Sequence, residues 1–317
     1  MHDIKIGTIV NVQDAFQRIP KLAELGFECI EVVAYDGANM TREALQDTFR
    51  KIRERADEYN LEISCAGLTQ KNTAEINELS RAAKDSGIIL SGGYGPRPEE
   101  NISSPDMLVV ENAMDFWKRT FDVLAVLDIH MVGGGLYSYW PVNFNKQFHK
   151  EDDLKRSIDG MTGLGELAAT YNISLGMEAL NRFEGYLLNT AAETISYVKM
   201  VGLENVKVML DTFHMNIEED NIIDAIKSAG PYLGHFHIGE ANRRPPRAGS
   251  RMDWEAIGTV LHKINYSGAV VMEPFVLQGG QVGKDIKVWR DMASGVESDL
   301  DNEAKKSVAF IRSAFGA

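Results

Sequence analysis

A chain of 317 residues with a hydrophobic fraction of 44% can form two average domains or one large barrel, with ample material for a full core. Its formal net charge of −13 argues against general binding to nucleic acid or an anionic membrane, because both demand a basic footprint. Only two cysteines are present, Cys29 and Cys65, both in apolar strand-like stretches, so they read as reduced core residues rather than a disulfide framework.

The N-terminal MHDIKIGTIV has no basic segment leading into a long apolar run, and no stretch reaches the roughly 18 apolar residues of a membrane span. A cytoplasmic enzyme acting on a small neutral ligand is the expectation. Residues 4–10 read as a first strand and 15–25 as its helix, closed by Gly26 in a C-terminal capping position. Residues 27–34 give a second strand, and Thr41 is an N-cap candidate for an amphipathic helix reaching about residue 59. A strand at 61–68, a helix at 73–85 and another strand at 86–94 follow. After a long helix at 105–127 comes a strand at 129–133. Four more strands begin near residues 173, 206, 233 and 269, with helices at 152–171, 191–201, 221–228 and 254–264 and a last one at 302–315. This alternation predicts one α/β domain over 1–317, a (β/α)8 TIM barrel.

The census gives nine strands where such a barrel has room for eight. Residues 52–68 can be laid over 79–95 at an offset of 27, with Ala56 on Ala83 and Ser64 on Ser91, which reads either as generic helix-strand similarity or as an extra unit within 52–95. The segment NISSPD (101–106) leads directly from 86–94 into the next helix, so 86–94 is the expected third barrel strand. Residues 61–68 are then expected outside the ring, against the barrel wall or a second subunit.

The last four strands share an ending. The run from Ile173 stops at Glu178, and the next three stop at Asp211, His237 and Glu273, at separations of 33, 26 and 36 residues, each about one strand-plus-helix unit. On parallel neighbours these four residues converge at the barrel mouth, where such folds place their active sites. One imidazole and three carboxylates form a ligand set for a divalent ion, favouring Mn²⁺, Co²⁺ or Mg²⁺ over a structural zinc. His235 lies on the same side of its strand as His237 but one layer deeper, which suits a hydrogen-bonded core histidine. Trp140 and Tyr137 in the SYW stretch either line a pocket or form a lid packed on the core.

Longer motifs carry a resemblance. GGGLYSYWP (133–141), EALNRFEGYLLNTA (178–191), VKVMLDTFHMNIEED (206–220), LGHFHIGEANRR (233–244), VVMEPF (270–275) and IKVWRD (286–291) resemble the ketose 3-epimerase family over residues 86–317. Upstream the likeness is to the wider sugar isomerase and epimerase barrels, and GTIVNV lacks the aromatic cluster usual there. The resemblance implies that Glu178, Asp211, His237 and Glu273 hold the metal, and that Glu184, His214 and Arg243 bind the oxygens at the C1–C2 end of a ketose. It also implies a sugar as partner and a homodimer or homotetramer.

Epimerisation at C3 removes the proton alpha to the C2 carbonyl, passes through a cis-enediolate, and returns a proton to the other face. Two carboxylates on opposite faces, Glu178 and Glu273, and a cation near O2 and O3 meet that need. The expected substrates are free ketose pairs such as D-fructose/D-allulose or D-tagatose/D-sorbose. An aldose–ketose isomerase or keto-sugar lyase shares the enediolate chemistry, while a sugar-binding protein has no need of two opposed glutamates.

Overall fold

The computed structural model describes residues 4–33, 81–86, 89–278 and 280–316. Its strands are short and largely apolar, as expected of a parallel sheet covered by helices. They are β1 (Lys5–Asn11), β2 (Cys29–Val33), β3 (Ile89–Gly93), β4 (Met131–Gly134), β5 (Ser174–Glu178), β6 (Val206–Asp211), β7 (Leu233–Ile238) and β8 (Ala269–Met272). Each is parallel to its neighbours in chain order, and β8 pairs with β1 to close the ring.

The third strand of the ring is the one expected from residues 86–94: β3 pairs with β2 through Glu31 and Ser91, and with β4 through Gly92 and Val132. Residues 61–68 and the helix expected at 41–59 lie outside the described residues, while 81–85 are helical as expected.

The helices are α1 (Val12–Glu24), α2 (Met107–Val126), α3 (Lys150–Thr170), α4 (Ala191–Val201), α5 (Thr212–Glu218), α6 (Ile222–Ala229), α7 (Trp254–Lys263), α8 (Gly280–Asp285) and α9 (Glu297–Phe315). Helix α1 starts three residues before the expected 15, straight from the end of β1. Helices α5 and α8 were not expected, because seven and six residues are too few to display a helical period. Helix α5 is instead organised by its cap: the Asp211 side chain accepts a hydrogen bond from the Phe213 N–H at 2.9 Å.

The core between sheet and helices includes a row of rings running from the mouth side of β3 along α2. Tyr94 contacts Phe116 and Trp117, Trp117 contacts Phe121, and Phe121 contacts Tyr171 beyond α3, with centroids 5.5–5.7 Å apart. Between β6 and β7 the register steps from Val208–Leu233 to Met209–His235, which skips Gly234. That step brings Asp211 level with His237 rather than with Phe236.

Candidate active site

Four strand ends build the floor of the mouth. Glu178 closes β5, Asp211 closes β6, His237 is the next-to-last residue of β7, and Glu273 follows β8 directly. Each offers one ligand atom, and these four atoms lie within 4.8 Å of one another. Glu178, Asp211 and His237 are buried, and the Glu273 side chain is 14% exposed. Three carboxylates at this spacing repel one another unless a cation compensates them.

Part of that compensation comes from Arg243. Its guanidinium donates to Asp211 Oδ2 at 2.7 Å and Glu273 Oε2 at 2.6 Å, and it stands 4.0 Å from Glu184 Oε1. The Phe213 ring supports the guanidinium from 3.8 Å. Arg243 reaches this place from a tight turn in which its own N–H donates to the Glu240 carbonyl and its carbonyl accepts from the Phe275 N–H. The turn holds Arg243 at φ 63°, a left-handed conformation that costs a side-chain-bearing residue about 1–3 kcal/mol. Arg243 is only 6% exposed, so its approach to Glu184 is not a solvent-exposed surface ion pair.

His214, on α5, faces the same space. The Asn181 backbone N–H lies 3.2 Å from its Nδ1, and its Nε2 lies 3.5 Å from Glu178 Oε1 and 3.3 Å from Arg243 Nη2. Asn181 also donates to Glu184 Oε1 at 2.9 Å, so one turn orients both groups. Trp140 lines the pocket, seated on Gly95 and tied by its backbone N–H to the Pro96 carbonyl at 2.7 Å. Tyr137 belongs to the core: it is 2% exposed and its hydroxyl donates to the Glu178 carbonyl at 2.9 Å.

The loop after β3 carries a further wall. Glu100 is buried and accepts hydrogen bonds from the Tyr94 hydroxyl and from the Arg97 backbone N–H and Nε, the last two at 3.0 Å.

One buried carboxylate at the centre was missed in the sequence. Glu31, on β2, is 1% exposed and accepts from His235 Nε2 at 2.5 Å and His237 Nε2 at 3.0 Å. His235 is thereby the hydrogen-bonded core histidine that its position suggested. The available signal was an acid inside the apolar run FECIEVVA, opposite two histidines spaced by two on one strand.

Environment separates the charges. Burial pushes the Glu178 carboxyl up, against the opposing pull of His214. Burial also acts on Glu273, but Arg243 and His237 outweigh it and bring that carboxyl down to about 2. Burial works against a charged His237, yet Glu31 and Glu273 outweigh it and raise the imidazole well above its ordinary range. Burial likewise opposes a charged His214, and Glu184 and Glu178 overcome it.

The polar atoms test whether the site suits a divalent cation. His237 Nδ1 is buried without a hydrogen-bond partner, 3.6 Å from Glu273 Oε2, while Nε2 on the far side of the ring is held by Glu31. A nitrogen aimed at three carboxylates, with its ring fixed from behind by a fourth, is a donor arrangement that fits such an ion.

The profile of the xylose isomerase-like TIM barrel family matches residues 19–313, and the chain belongs to that family. It is 46% identical over 299 residues to a D-psicose 3-epimerase from Agrobacterium fabrum, covering 94% of this chain and 92% of the relative. A D-psicose 3-epimerase from Enterocloster bolteae is 50% identical over 81% of this chain and 86% of its own length. A crystal structure of D-psicose 3-epimerase in the presence of D-fructose superposes with a TM-score of 0.85 at 43% identity, covering 99% of this chain and 100% of that one. Within its family the chain is a ketose 3-epimerase, an isomerase of carbohydrates.

Proposed function

We propose that the chain interconverts D-psicose (D-allulose) and D-fructose as free sugars, with Glu178, Asp211, His237 and Glu273 holding Mn²⁺, or Co²⁺ or Mg²⁺ in its place. The observation that carries this reading is the convergence of the four ligand atoms within 4.8 Å in a pocket that also holds His214, Arg243 and Glu184. D-Tagatose and D-sorbose form the second pair to test.

The ketose binds with its C1–C2 end toward Glu184, His214 and Arg243. His214 Nε2–H and the Arg243 guanidinium donate to oxygens at this end, and Glu184 accepts from a hydroxyl. When bound, the ion supplies a fixed positive charge beside the sugar oxygens on which negative charge develops. Glu178 and Glu273 stand at the ends of β5 and β8. One takes the proton from C3, the electron pair of the broken C–H bond forms C2=C3, and the carbonyl electrons move onto O2 to give the cis-enediolate. The other carboxylate returns a proton to the opposite face of C3, the carbonyl re-forms, and the configuration is inverted. Trp140 closes the pocket wall and keeps bulk water from the enediolate.

The whole chain, 1–317, acts as one barrel in this reading. A cytoplasmic location accords with a sequence that holds only two cysteines, Cys29 and Cys65. Assembly as a homodimer or homotetramer accords with the large apolar side chains exposed at Met107, Leu108, Phe183 and Trp289.

The test is incubation of the purified protein with Mn²⁺ and each of the four ketoses in D2O. Deuterium at C3 with inversion is expected. Label at C1 instead identifies an aldose–ketose isomerase, and no exchange with any of the four sugars overturns the substrate assignment.

A further inference from the structure

We infer that Glu31 is a positioning residue that sets the tautomer and aim of His237, and that Gly93 exists to make room for it. The inference rests on the reading of His237 as a metal ligand. Glu31 sits in the middle of β2, three strands round the ring from β7, and its side chain reaches across the barrel interior to both histidines. A carboxylate only accepts hydrogen bonds, so His235 and His237 must each present an Nε2–H to it. With that proton fixed, the nitrogen through which His237 can donate an electron pair is Nδ1, the buried atom that has no hydrogen-bond partner and faces the acidic cluster. His235, one layer deeper, pins the second oxygen of Glu31 and so prevents the carboxylate from turning away.

The neighbouring strand supplies the second observation. A β-carbon on Gly93 of β3 would stand 2.5 Å from Glu31 Oε1 and 3.2 Å from its carboxyl carbon. The oxygen that meets it is the one bonded to His237, and it is held at both ends of the carboxylate, so it cannot swing aside without breaking a hydrogen bond. Three strands therefore cooperate: β7 offers the ligand, β2 the acid that orients it, and β3 the gap through which that acid passes.

The test measures Mn²⁺ affinity of the metal-stripped protein by competition with a chelator, without sugar. Glu31→Gln keeps the shape but replaces one of the two acceptor oxygens by an NH2 group, which cannot accept from the histidine N–H it faces. Its affinity is expected to fall about 10–100-fold, the range found when groups that orient a metal ligand are removed. Gly93→Ala retains Glu31 and every ligand, and it is expected to weaken Mn²⁺ in the same direction by displacing the carboxylate. A purely structural role for Glu31 lowers the melting temperature of the metal-free protein and leaves the affinity of the folded fraction unchanged. Unchanged affinity in folded Glu31→Gln, or in Gly93→Ala should the first variant fail to fold, overturns the inference. His237→Ala separates this from the ligand set: full Mn²⁺ retention there overturns the ligand assignment itself, whereas loss there beside normal affinity in Glu31→Gln overturns only the role of Glu31.

Discussion

Thr212 and Gly239 exchange two hydrogen bonds, the Thr212 hydroxyl donating to the Gly239 carbonyl and accepting from the Gly239 N–H, both at 2.8 Å. Thr212 follows Asp211 and Gly239 stands two residues beyond His237, so this clasp ties the mouths of β6 and β7 together where two proposed ligands emerge. Thr212→Val fills the same space and leaves two buried backbone groups without partners. A loss of about 1–3 kcal/mol in unfolding free energy is expected from urea titration.

Glu178→Gln and Glu273→Gln should each nearly abolish turnover, because protons must be handled on both faces of C3 even where the ion is retained. Exchange of the C3 proton with D2O can persist in one variant without net inversion. Near-normal epimerisation by either protein removes the two-carboxylate mechanism.

Arg243→Met deletes the buried cation shared by Asp211 and Glu273. Leaving those carboxylates uncompensated is expected to cost the metal-free protein about 3–5 kcal/mol. Saturating Mn²⁺ should recover part of this stability, since a ligand that binds only the folded state stabilises it. Melting curves with and without Mn²⁺ check this, and an equal loss in both conditions argues against a shared site. With sugar present, the variant should also show a raised KM.

Glu100→Gln probes the pocket wall. Its effect should fall on KM, raised several-fold, more than on kcat, because the loop over 94–97 carries the carbonyl that holds Trp140 and contributes no proposed acid or base. An equal fall in kcat shows that the wall also orients the reacting carbon.

The sequence was informative where a residue's role depended on local order. Apolar runs ending in Glu178, Asp211, His237 and Glu273 announce strand ends, and strand ends of a parallel ring meet at one mouth. The choice of 86–94 as third strand followed from chain continuity into α2. Roles that depend on crossing the ring were hidden. Glu31 looks like one polar residue in an apolar strand, and only closure of the barrel brings it to His235 and His237. Arg243 was legible as a sugar contact by resemblance. Its bridge between Asp211 and Glu273 depends on a left-handed turn that the sequence does not advertise, since arginine seldom adopts that conformation. Helix α5 was missed because its start is decided by the Asp211 cap rather than by periodicity.

The seating of Trp140 on Gly95 has an optical consequence. Of the four tryptophans, Trp117 and Trp254 are buried and Trp289 is 69% exposed, while Trp140 is half-buried on the pocket wall. Indole emission shifts to the blue as water leaves the ring, so a ketose that displaces water from Trp140 changes the spectrum of this one residue against a constant buried background. Trp289→Phe, a substitution at an exposed side chain, removes the exposed contribution and leaves the protein's own fluorescence as a gauge of occupancy.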